Sequence, residues 1–134
     1  MKQCNETITV FNSRMDSEGF DVYQPTIIRG VSWYCEIASV VDASGLKAAN
    51  RFTIRIPVDA DFSGKAYAPP VDYAACDPNS AFTLDQGDLI IKGAETGSLT
   101  PAQLKTKYGE LVTVLGVTDS TNRPNARHWK VVGK

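Results

Sequence analysis

The chain has 134 residues, 43% of them hydrophobic and 22% charged, which suits one domain with its own core and is too apolar for a disordered segment. Fourteen basic and fifteen acidic side chains give a net charge of −1 and are interleaved, so the sequence lacks the broad basic face of a duplex-DNA binder. The opening MKQCNETITV lacks the apolar core of a secretory leader, and no stretch approaches the ~20 apolar residues of a membrane span, so a protein made in a cytoplasm is expected.

ETITVFN alternates Ile8 and Val10 against Thr7 and Thr9, the period-two pattern of a strand, and SRMDSEGFD after it is rich in turn formers, so a hairpin is expected. VYQPTIIRGVSWYCEIASVV is dense in β-branched and aromatic residues. Pro25 and Gly30 interrupt it, which predicts two strand pieces joined at a bulge or bend. DASGLKAAN carries turn chemistry at Asp42, Ser44 and Gly45 and reads as a loop.

RFTIRIPV gives the clearest local signal. Phe52, Ile54, Ile56 and Val58 share one strand face, Arg51, Thr53 and Arg55 the other, and Pro57, which has no N–H for a ladder, places the end of the strand at a sheet edge or marks its exit. Residues 59–79 follow with Pro69, Pro70 and Pro78 and little periodicity. An irregular stretch of that length in a compact domain is usually functional, and it is read as an extended loop or arm contacting a partner, with Asp59, Asp61, Phe62, Tyr67, Pro69, Pro70 and Tyr73 as the candidate contact residues.

FTLDQGDLIIKG predicts a strand, a tight turn at Gln86 and Gly87, and a strand through Leu89, Ile90 and Ile91 closed by Gly93. SLTPAQLKTKYG is the one convincing helix. Thr100 suits the N-cap, Pro101 the first helical position, Gln103 completes a capping box, and Gly109 ends the helix after Lys105 and Lys107. ELVTVLGVT and HWKVV, the latter alternating Trp129 and Val131 against Lys130, supply two closing strands around a turn-rich TDSTNRPNA. The expected fold is mainly β: residues 1–134 form a single domain, a small antiparallel barrel or sandwich of about seven strands with one short helix and long loops, because a parallel sheet would need a helix at nearly every crossover.

Reactive chemistry is hard to assemble from these residues. His128 stands alone with no nucleophile to serve, and Asp59 and Asp61 lack the glutamate that would close a calcium loop. Gly87 and Asp88 lack the further glycines of a phosphate loop, and Cys4, Cys35 and Cys76 form neither a disulfide framework nor a zinc site. No catalytic, cofactor or metal site is expected, and the protein is read as no enzyme. Phe11, Tyr23, Trp33, Tyr34 and Phe52 could stack the bases of a single strand, but alternating strands also need such residues to fill an interior.

The run at 7–34, with ITVFN, a polar turn and DVYQPTIIRGVSWY, resembles the opening of minor structural proteins from the head-and-connector region of tailed bacteriophages of Gram-positive hosts. The match lies at Thr26, Ile27, Ile28, Arg29, Gly30, Val31 and Trp33, and FTLDQGDLIIKG and HWKVVGK are similar to later strands of the same proteins. The resemblance implies a head-completion or stopper-type connector. Its partners would be copies of itself in a ring, the portal or adaptor protein and a tail protein, with DNA only as cargo in the channel, no membrane, and a final location in the virion. A tail-terminator or tail-completion protein is the neighbouring reading, and a single-stranded nucleic-acid-binding barrel the alternative.

Overall fold

The computed structural model describes residues 5–134 except 16–17, 20, 43–44, 74, 76–79, 98–99, 110, 123 and 125–126; for 14–15, 21, 36–42 and 45–50 it describes the backbone. Cys4, Cys76 and Pro78 therefore lie outside the described residues, while Cys35 is exposed and in no disulfide. The chain runs β1 (Glu6–Met15), β2 (Asp21–Asp42), β3 (Gly45–Pro57), β4 (Ala66–Tyr67), α1 (Pro70–Tyr73), β5 (Ala81–Phe82), β6 (Leu89–Lys92), α2 (Pro101–Tyr108), β7 (Val112–Ser120) and β8 (His128–Gly133). Six strands close an antiparallel barrel in the order β1-β2-β3-β8-β7-β6, and β4 and β5 form a small parallel pair beside it.

β2 serves two neighbours in succession. Residues 21–31 pair with β1 and residues 32–42 with β3, and the change falls between Val31 and Ser32, just after Gly30. Thr7 faces Arg29 while Glu6 faces Val31, so Gly30 is the extra residue of a bulge, and its φ of 89° is one that glycine adopts without a Cβ penalty. The expected break is real, yet it bends one continuous strand rather than separating two. On the side of Arg29 away from β1, its N–H and C=O bond the backbone of Asp61 at 2.9 Å each way.

Alternation then fills the barrel. Ile8 and Val10 from β1, Ile28 and Val31 from β2, Phe52, Ile54 and Ile56 from β3, Ile90 from β6, Val112 and Val114 from β7, and Trp129 and Val131 from β8 form the main core. Val58 is exposed, because the ladder ends at Pro57 opposite His128 and the chain turns away, as the proline predicts.

β1 and β6 are buried on both faces. Phe11, Leu89 and Ile91 point away from the interior and pack under Leu104, the one buried residue of α2, which explains why LII in β6 runs on without alternation. The helix is built as read: Thr100 Oγ1 accepts the Gln103 N–H at 3.3 Å, the Gln103 side chain accepts the Thr100 N–H at 3.0 Å, and Gly109 closes the end at φ 74°. Lys107 and Tyr108 both donate to Glu95 in the strap leading to the helix, and this pairing lowers the Glu95 pKa.

Two expectations change. The loop expected around 42–50 is the far end of a β-hairpin, in which Ile37 faces Asn50 and Asp42 faces Gly45. The turn expected after Asn12 begins later, since β1 continues to Met15 opposite Asp21.

Gly133 marks a tight point of closure beside β7. A Cβ built there falls 2.5 Å from Val112 Cγ1 and 2.6 Å from Thr113 O, whereas one at Gly116 meets nothing within 4 Å. Gly133→Ala is therefore expected to lower stability by about 1–3 kcal/mol through overpacking, and Gly116→Ala to stay within about 0.5 kcal/mol of the parent, with urea unfolding midpoints as the measurement.

Candidate functional site

The main departure from a plain barrel is the distal part of the β2–β3 hairpin. β1 pairs with β2 no further than Val31 and β8 pairs with β3 only from Phe52 to Pro57, so within residues 36–51 the two hairpin strands have only each other as ladder partners among the described residues. β3 from 45 to 51 thus presents an open backbone edge, one that can template another strand. Exposed Tyr34 and half-buried Trp33 stand at its base, with Trp33 edge-on to Phe52 at 5.5 Å and Lys92 Nζ 5.8 Å from the Trp33 ring centroid.

A second open edge lies on β7. Its ladder with β6 covers only Thr113 and Val112, and Val114 is held by Gly87 and Asp88, its O accepting the Gly87 N–H at 2.9 Å and its N–H donating to Asp88 O at 2.8 Å. Beyond a register shift between Val114 and Gly116 that leaves Leu115 as the extra residue, residues 116–120 pair with β8 alone. A groove of about 320 Å³ runs along this stretch, lined by Tyr67, Pro70, Leu84, Asp85, Leu115 and Asp119 among others. Its lining includes apolar Leu115, which is 45% exposed.

The groove is also acidic. Asp119 accepts the Thr121 hydroxyl at 2.6 Å and the Thr121 N–H at 2.8 Å, and these bonds hold its carboxyl below the usual range. Burial, then the charge of Asp119, raises the Tyr67 pKa, so this hydroxyl stays protonated.

The turn bordering the groove hangs on a buried polar cluster. Asn12 Nδ2 donates to Thr83 O at 2.6 Å and to Asp88 Oδ2 at 2.8 Å, while Asn12 Oδ1 accepts the Thr83 N–H at 3.1 Å. Asp88 Oδ2 also accepts the Asp85 N–H at 3.0 Å. One amide from β1 thus satisfies both backbone groups of Thr83 and meets a carboxylate only 4% exposed.

The candidate residues of 59–79 divide between core and surface. Phe62 stacks on Phe82 at 5.1 Å, Tyr67 packs on Trp129 at 4.7 Å, and Tyr73 is buried, so three aromatics fasten the segment to the barrel. Asp59, Asp61, Pro69 and Pro70 are exposed; the Asp61 carboxylate accepts the Ser63 N–H at 3.0 Å, and Pro70 joins Tyr67 in lining the groove. Asp59 and Asp61 gather no third ligand, and among the described residues no three His, Cys, Asp or Glu side chains converge. His128 is buried at the end of β8 between Pro57 and Ser120. A second cleft, beside Pro25 and Thr26, contains Lys65, whose ammonium donates to Pro25 O and Thr26 Oγ1 at 2.9 Å each.

Sequence reading missed the groove because its walls come from residues 67–70, 84–86 and 115–119, which only the closed barrel brings together. It also missed the hairpin, although EIASVV before DASG was a usable signal: a β-rich run followed by a turn.

The fold and its open edges define a small closed antiparallel barrel with a projecting β-hairpin. Residues 3–134 match a protein family described as a family of unknown function (DUF6751), and the chain belongs to it. No curated protein and no solved structure matches the chain.

Asp88 generates a pH prediction. Burial, opposed by the hydrogen bonds from Asn12, Ser13 and Asp85, raises its pKa from 3.8 to about 6. A raised folded-state pKa means that the native state holds the proton more tightly. The stabilisation from this group is full below pH 4 and is lost as pH rises to about 6, a change on the order of 2–3 kcal/mol. Asp88→Asn, whose amide oxygen can still accept from Asn12 and Asp85, should remove this component; unfolding midpoints of parent and variant from pH 4 to 7 should diverge by that amount.

Proposed function

We propose that the protein is a virion structural component, a head-completion or stopper-type connector that forms a ring between the portal and the tail of a bacteriophage. The observation that carries this reading is the projecting hairpin. An isolated two-stranded ribbon is marginal in water, and one that extends past its barrel with an open edge is stabilised by pairing with another chain. One such element per chain, docking on a neighbour, gives a heterologous contact that closes into a ring when the rotation between copies permits. The order of strands and the residues at 26–33 that resemble such connectors agree with it.

Function then lies in shape and backbone pairing. The hairpin and the groove-lining part of 59–79 are the contact elements, DNA passes as cargo, and no cofactor is required. Electron microscopy of the protein mixed with portal rings of the phage or prophage that carries its gene is expected to show an added ring coaxial with the portal. Particles of that phage should contain the protein at the head–tail junction by immunogold labelling. Absence from purified particles, together with no binding to the portal, would overturn the reading.

A further inference from the structure

We infer that the open edge of β7, residues 116–120, receives the projecting part of β3, residues 45–50, from a second copy of this chain. The inference rests on the ring-forming reading and names where one copy enters the next.

Four observations converge. First, neither edge has a ladder partner on its outer side among the described residues, so antiparallel addition would satisfy alternate N–H and C=O groups of both. Second, the charges are complementary. GLKAAN carries Lys47 as its one ionisable residue, and the receiving groove presents Asp85 and Asp119. Third, exposed Leu115 in the groove lining is suited to an incoming strand, since it adds side-chain burial to the backbone pairing.

Fourth, the chain cannot satisfy its own edge. β3 enters the barrel at Phe52, opposite Gly133, and ends at Pro57, opposite His128. Residues 45–50 therefore leave from the Gly133 end. The open part of β7 runs the other way, toward Ser120 beside His128. Donor and acceptor sit at opposite ends of the barrel, the arrangement that links copies head to tail.

Two experiments on the full-length chain test this. In the first, Asp85→Lys and Lys47→Glu are made singly and together; each single variant is expected to weaken self-association at least several-fold by analytical ultracentrifugation, and the double variant to recover most of it. Recovery separates a broken contact from a misfolded chain. In the second, Ala48→Cys and Thr118→Cys are placed in separate copies that lack the natural cysteines and mixed under mild oxidation. Disulfide-linked dimers are expected in the mixture and not from either chain alone, because in the antiparallel register that sets Lys47 opposite Asp119, Ala48 faces Thr118, and facing residues in a ladder lie within disulfide reach. Rings that form on the portal without cross-linking and without charge rescue would overturn this docking while leaving the connector reading in place. Failure of the unmodified protein to join the portal would overturn the connector reading itself.

Discussion

Gly30 sets the geometry on which everything else is hung. Within two residues of it β2 stops following β1 and starts following β3, and the bulge bends the strand without breaking it. Next to the bulge the backbone of Arg29 pairs with Asp61, so the chain leaving β3 at Pro57 is caught again on β2 a few residues later. Because the strand is continuous through the bend, the far half of β2 carries β3 out past the barrel as a ribbon. Barrel curvature, anchoring of the 59–79 segment and projection of the hairpin thus share one cause.

The segment expected to be an arm and the element that projects are different parts of the chain, and the reason is physical. Phe62, Tyr67 and Tyr73 present large aromatic surfaces that favour burial, so residues 59–73 of this stretch lie on the barrel, with Phe62 and Tyr67 beside Phe82 and Trp129. The hairpin reaches outward as backbone paired to backbone. The two elements are nonetheless related, since Tyr67 and Pro70 help shape the groove beside β7.

Local chemistry was legible wherever it decides the outcome locally. The capping box at Thr100 and Gln103, the glycine stop at Gly109 and the proline exit at Pro57 each act within a few residues, and each stands where the sequence puts it. The in-and-out pattern of β3 was equally plain, because Phe52, Ile54 and Ile56 fill an interior. GLKAAN was opaque: past the last barrel pair no interior imposes a period of two, and the strand is defined by its partner across the ladder. Asp88 stands in no phosphate loop, since the further glycines are missing, and its role as an acceptor for Asn12 depends on a contact between residues far apart in the chain, which no local pattern encodes. The groove is illegible for the same reason.

The attachment of α2 has a consequence for the order in which the molecule opens. Buried Leu104, the packing of Tyr108, the Glu95 contacts and the two caps hold this helix, whereas the strands beneath it are shared by two core clusters. Its amide protons should therefore exchange with solvent through a partial opening that detaches the helix while the barrel persists, and those of Ile8, Val10 and Ile90 only on global unfolding. The helix is thus a separate cooperative unit, able to detach or be remodelled without dismantling the cylinder that supports it.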